Sequence, residues 1–267
     1  MPRAQLNDHP MYYEVHGQGE PVLCMTGWGT YCHGAVHHLP RGLTERYQVI
    51  IFDHRGLGES GDSPNQSPTM ALYAADAAAL LDLLGIRRAH VVGLVGMGAC
   101  IAQELALARP DLVRSLFLMG AWARVDPYFR DQLELFRFLH GEVDFFAFQR
   151  AVTLLSFDPD YYNANKERLL GPSGVWSELL DRFPAHSRLI DACLAHDTLD
   201  RLPAIAAPTL VVHAGADQVT GPRLTRPIEE AIPHARGVLL ERAPHVIAGR
   251  VLKQAFCELL FDFLAVH

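Results

Sequence analysis

The sequence predicts an α/β fold: a mostly parallel sheet of about eight strands flanked by helices, with a block of helices inserted in its second half. Three observations predict it. Short β-rich runs alternate with helix-length segments over residues 11–119 and again over 209–266, the rhythm of strands joined through covering helices. Between Trp122 and about Thr198 that rhythm gives way to four or five helical segments without a convincing strand. Residues 91–104 read as a strand, a sharp glycine-rich turn and a helix, a unit that presents chemistry at the carboxyl edge of a sheet.

Taken in order, 11–16 and 21–25 read as the first two strands. His16-Gly17-Gln18-Gly19-Glu20 joins them and predicts a hairpin at the antiparallel edge. Segments 47–52, 90–92, 115–119, 209–213 and 237–240 follow as strands, several of them near-continuous apolar runs of the kind buried on both faces. Helices are expected over 70–84, 99–108, 223–231 and 252–266. The inserted block is broken near Gly141, Asp158-Pro159, Gly171-Pro172 and Phe183-Pro184. This gives a core domain of 1–121 with 199–267 and a helical cap of 122–198. The cap holds 13 of the 24 aromatic residues; most should pack cap helices together, but the surplus predicts an apolar pocket, with Trp122, Phe146 and Trp176 as candidate substrate-binding side chains.

With 267 residues, 49% of them apolar, the chain can bury one large core plus a lid. Its 23 basic and 30 acidic residues give a net charge of −7 and no basic stripe, which argues against nucleic acid as a partner. Only two lysines, Lys166 and Lys253, are present, too few for a polybasic membrane patch. No run reaches membrane-spanning length, and the N-terminal residues lack a signal-peptide core. Five cysteines (Cys24, Cys32, Cys100, Cys193, Cys257) follow no metal or disulfide spacing, so reduced thiols and a cytoplasmic setting are expected. No metal site is expected: His33, His37 and His38 lie close together but no third-ligand motif accompanies them. Oligomeric state stays open, a homodimer included.

The turn itself is Gly93-Leu94-Val95-Gly96-Met97-Gly98, followed by Ala99-Cys100-Ile101-Ala102-Gln103-Glu104. It resembles the nucleophile elbow of α/β-hydrolases, whose G-x-S-x-G raises a serine toward a histidine and an oxyanion hole. Aligned from the helix, Gly96 takes the serine position; aligned from the strand, Val95 does. Neither side chain attacks a carbonyl. Leu94 stands where the family has glycine, the spare glycine sits at Gly93, and the spacing is one residue off. Cys100 falls about one turn further along, on the helix-packing side, and is a poor substitute nucleophile.

The resemblance spans nearly the whole chain. Thr26-Gly27-Trp28-Gly29 is similar to the family's oxyanion loop, which implies the Trp28 and Met97 backbone N–H groups as oxyanion donors. Asp53-His54-Arg55-Gly56-Leu57-Gly58-Glu59-Ser60 resembles the family's D-x-R-G-x-G-x-S brace, read as structural. Asp217 matches the triad acid, with Asp126 a weaker candidate, and His245 in Ala243-Pro244-His245 matches the triad histidine. The resemblance therefore implies a cofactor-independent His245–Asp217 dyad without a serine. Its chemistry would be general-base catalysis on a small apolar or aromatic substrate, by a lyase, cyclase, decarboxylase or water-attack route. Two alternatives remain open at this point: a non-catalytic binding or signalling protein on the same fold, and an esterase or lactonase whose serine was replaced by Gly96.

Overall fold

A computed structural model describes residues 3–28, 36–63 and 66–267. Cys32 and His33 fall outside the described residues, as does the side chain of His37. Eight strands form one sheet: β1 (Arg3–Leu6), β2 (His9–His16), β3 (Pro21–Met25), β4 (Gln48–Phe52), β5 (Ala89–Gly93), β6 (Val113–Met119), β7 (Thr209–Ala214) and β8 (Ala235–Leu240). Their spatial order is β1-β2-β4-β3-β5-β6-β7-β8, antiparallel over β1, β2 and β4 and parallel from β4 to β8.

The expected β2–β3 hairpin is corrected here. β2 pairs with β4 (Tyr13 opposite Phe52, His16 opposite Val49), and β3 lies on the far side of β4 (Val22 opposite Val49). The Gly17–Gly19 connection has to cross over the chain before β4, and Gly17, at φ 74°, lies too close to the Thr44 and Tyr47 carbonyls for any Cβ. The true hairpin is β1–β2, turning at Asn7-Asp8. β1 escaped the sequence reading because its four residues, Arg-Ala-Gln-Leu, bury only Leu6.

Helices α1 (Leu43–Arg46), α2 (Met70–Leu83), α3 (Met97–Ala108), α8 (Pro222–Ala231) and α9 (Arg250–Ala265) cover the sheet. Leu23, Val91, Leu116 and Val211 face α2, α3 and α8 in one buried layer, while Val22, Val92, Phe117 and Val212 face α9 in the other. That double burial is why these strands read as unbroken apolar runs. Between β6 and β7 the chain makes an excursion through α4 (Pro127–Phe138), a π-helical turn (Leu139–Val143), α5 (Phe145–Ser156), α6 (Pro159–Leu169) and α7 (Phe183–Ala195). Its two stems meet: Arg124 bonds Asp197 and Asp200, each at 2.8 Å, and Thr198 N donates to Ala123 O at 2.8 Å. Arg182 and Arg188 of this excursion reach back to carbonyls of Gly56, Gly58, Ser63 and Gln66.

Candidate active site

Five parallel strands end on one edge, and the loops leaving them build the site. Gly27-Trp28 follow β3, Gly96 follows β5, Trp122 follows β6, Asp217 follows β7 and His245 follows β8. Burial of both sheet faces leaves this carboxyl edge as the place where polar groups from separate loops can converge.

The elbow spends three residues, Leu94-Val95-Gly96, between β5 and α3. Gly96 is the residue at the turn of the elbow: φ 75°, ψ −100°, capping α3 with its carbonyl, which accepts from Ala99 N (3.0 Å) and Cys100 N (3.2 Å). A Cβ placed on Gly96 would stand 3.9 Å from His245 Cε1 and 3.3 Å from Trp122 Cζ3. Of the two alignments, the geometry selects the one that puts Gly96 opposite the histidine. The additional residue is absorbed at Val95, which also has positive φ (53°). For a β-branched side chain that is strained, by about 1–3 kcal/mol. Val95 O lies over Gly27, where a Cβ would come within 2.5 Å of it.

Asp217 and His245 meet as a pair. Asp217 Oδ2 lies 2.9 Å from His245 Nδ1, and both residues are buried. Asp217 Oδ1 accepts from Val219 N (2.7 Å) and Thr220 N (2.8 Å), fixing the carboxylate in a tight turn. Burial pushes the Asp217 carboxyl upward, but His245 and these N–H groups outweigh it and hold its pKa below the ordinary carboxylate value. With Asp217 ionised, His245 Nδ1 is the ring nitrogen that donates to Oδ2, and Nε2 is the one turned to other partners. The hydroxyl of Thr220 completes this corner, donating to Asp217 Oδ2 at 3.0 Å with its oxygen 3.1 Å from His245 Nδ1. Sequence reading passed over Thr220; its signal was the Asp-x-x-Thr spacing, in which a carboxylate caps the turn that carries the threonine.

A cavity of about 40 Å³ opens between these groups, Gly96 and Met97. Trp28, Trp122, Phe129, Leu133, Phe136, Val152 and Trp176 form its apolar walls, and among the described lining residues none is Asp, Glu, Lys or Arg. Trp122 and Trp176 are thus brought to the cavity and Phe146 is not. One residue past Phe145 at the start of α5, Phe146 points about 100° away from the inward face that Phe145, Phe148 and Val152 share, and is 42% exposed. The Trp28 ring packs edge-on against Phe136 and His186. Trp176 sits at φ 58°, held there by Gln149, whose amide bonds Gly171 O, Gly171 N and Val175 O. Met97 begins α3, so its N–H is the first of the donors a helix leaves without an internal partner.

Other candidates have different employment. Asp126 caps α4 through Phe129 N (2.7 Å) and pairs with Arg223 (2.8 Å). Cys100 donates its thiol to Trp122 O, and burial raises its pKa well above the usual range; burial pushes the Cys193 thiol in the cavity wall up to about 12. Neither is an activated thiolate. In the brace motif, Asp53 accepts from Glu59 N, Arg55 grips Asp76 through two bonds of 2.7 Å, and His54 Nε2 donates to Thr26 O at 2.9 Å, steadying the loop before Gly27. Among the described residues no group of three or more His, Cys, Asp or Glu is arranged to hold a metal, and no helix is long and apolar enough to cross a membrane.

Comparison with known proteins agrees with this architecture. The family model described as the alpha/beta hydrolase fold matches residues 20–248. The provisionally named carbamate hydrolase RutD of Azorhizobium caulinodans is 34% identical over 269 residues, covering 98% of both chains. Among solved structures, an alpha/beta hydrolase enzyme, MGS-M2, from a Medee basin deep-sea metagenome library superposes with a TM-score of 0.84 at 20% identity, covering 99% of this chain and 97% of the other. The enol-lactonase from Burkholderia xenovorans LB400 superposes with a TM-score of 0.80 at 25% identity, covering 99% and 100%.

Proposed function

The chain belongs to the α/β-hydrolase fold family, and from that membership and the site's geometry we propose that it is a small-molecule hydrolase whose nucleophile is a water molecule rather than a side chain. The observation that carries this reading is the 2.9 Å Asp217–His245 bond facing a glycine at the elbow. His245 Nε2 removes a proton from water as the water oxygen attacks a substrate carbonyl. The Met97 and Trp28 N–H groups receive the negative charge that develops on the carbonyl oxygen, and the imidazolium returns the proton to the leaving group. General-base assistance contributes on the order of 10²–10⁴-fold and each backbone donor a few kcal/mol, enough for an activated ester or carbamate but not for an ordinary amide.

Apolar walls without a charged side chain among the described lining residues favour an uncharged substrate. The likeness to carbamate hydrolases supports a compact carbonyl compound of that kind. In this reading residues 122–198 act as a lid that excludes bulk water, and the free thiols Cys24, Cys100 and Cys193, all buried, suit a reducing cytoplasm. The test is turnover of 4-nitrophenyl acetate and small aryl carbamates by the wild type and by His245→Ala. Loss of about 10²-fold or more in kcat is expected, together with no covalent adduct from a fluorophosphonate. Equal turnover by His245→Ala, or a fluorophosphonate adduct in the cavity, overturns the reading.

A further inference from the structure

Large apolar side chains stay exposed along one stretch of the chain, α4 to α5: Tyr128, Leu135, Phe138, Val143, Phe146 and Leu154, between 42% and 65% accessible. Elsewhere among the described residues such side chains stand singly. Those of the two helices are ordered. On α4 the outward stripe runs Tyr128, Asp131, Leu135, Phe138, a three-four-three spacing, and on α5 it runs Phe146, Arg150, Leu154, at intervals of four. Both are spacings by which one helix lies against another. The inward faces of the same helices are already used, holding Phe129, Leu133, Phe136 and Val152 over the cavity. Together the six outward side chains present on the order of 500 Å² of apolar surface, at the upper end of what a monomer leaves in its largest patch.

Each stripe also carries one charge, and the two are opposite. On the flank of α4, Arg137 pairs with Glu134 and Asp191. Among the described residues, however, neither Asp131 nor Arg150 has an ion-pair partner within the chain. We propose that the surface binds a second copy of this chain about a two-fold axis, with α4 of one protomer against α5 of its partner. A two-fold contact uses the same surface twice, so setting Asp131 against Arg150 of the partner subunit also sets Arg150 against Asp131 of the partner subunit. Both charges are then answered without a second kind of molecule. Pairing α4 with α4 would bring the two Asp131 stripes together and leave Arg150 out. A lipid surface would cover the apolar side chains but desolvate Asp131 and Arg150 without pairing them. With the polar atoms between them, the stripes supply the apolar centre of an interface of roughly 800 Å² per partner, the usual size for a stable complex. The inference is independent of the reaction at His245.

The test is sedimentation equilibrium of the whole chain, with circular dichroism to confirm that each variant is folded. The wild type is expected to have twice the mass of the chain at micromolar concentration. Leu135→Asp should raise the dimer dissociation constant about a hundredfold, and Asp131→Arg or Arg150→Asp about tenfold each. Combining the two charge reversals should restore association, which only a pair that faces across the interface can do. A wild type still monomeric at about 100 µM overturns the proposal, whether or not it then binds phosphatidylcholine vesicles. So does a dimer that Leu135→Asp leaves intact, since it must be built on another face, or a double reversal that fails to restore what the single ones lose.

Discussion

At the scale of single residues, the site is defined by what Gly96 lacks and by what surrounds the imidazole. Glycine at φ 75° adopts the elbow conformation without the steric penalty a Cβ brings. Gly96→Ser would incur that penalty and press on Trp122 Cζ3, so a drop in stability of about 1–3 kcal/mol is expected by urea denaturation. Asp217→Asn keeps an oxygen for the Val219 and Thr220 N–H groups but can present an amide to Nδ1, which then has to become the acceptor. Turnover should fall by a factor on the order of 10³–10⁴ with the fold intact, read from kcat and circular dichroism together. Thr220→Val removes one donor from Asp217 Oδ2, a change worth about 1 kcal/mol. It should lower kcat about fivefold, since Thr220 positions the pair through its bond to Asp217 Oδ2; restoration by Thr220→Ser separates this from a packing defect.

At the scale of elements, the elbow depends on the closeness of α3 to β3 and β5. Gly98 lies with its Cα against the Met25 carbonyl, and a Cβ on Gly93 would come within 2.6 Å of Ala99 Cα and 2.8 Å of Gly98 O. Gly98→Ala would have to push α3 off the sheet, since the opposing atoms are backbone. A loss of roughly 1–3 kcal/mol or more is expected from thermal unfolding, with turnover falling further because Gly96 and Met97 move with the helix. In the excursion between β6 and β7, Gln149 does the equivalent work by tying down 171–175 and so placing Trp176. Both the absent β2–β3 hairpin and the outward Phe146 belong to this scale. Strand pairing across β4 and rotation about α5 are set by partners far away in sequence, whereas β5, α3 and the loop after β7 follow from local signals.

For the whole molecule, the histidines set the response to acid. His9, His54, His90, His140, His186 and His196 are buried, and burial lowers the pKa of each below its ordinary value, to about 4 for His196. Each stays neutral in the folded protein but takes up a proton in the unfolded chain below about pH 6.5. The unfolded state therefore binds more protons, and stability rises with pH up to about 6.5 and falls below it, at most about 1.4 kcal/mol per pH unit for each such histidine. Urea midpoints measured from pH 7.5 down to 4.5 should decline steeply below pH 6.5. A flat profile would mean that these rings are hydrated. His186 is the sharpest case: its Nδ1 meets His140 Nδ1 at 2.8 Å against Trp28 and Phe148, with no carboxylate among these neighbours to favour the charged form.

The sequence by itself determined the family, the succession along the chain of the strands whose ends carry the site, and the residues Gly96, Asp217 and His245 as the ones to watch, because each lies in a short motif whose conformation is locally dictated. Only the tertiary structure decided that Gly96 rather than Val95 faces the imidazole, that Thr220 joins the pair, and that the described lining of the cavity carries no Asp, Glu, Lys or Arg. Those outcomes depend on distances between loops that leave different strands. Such distances are fixed by sheet order and by helices packed on both of its faces, and no local pattern of residues encodes them.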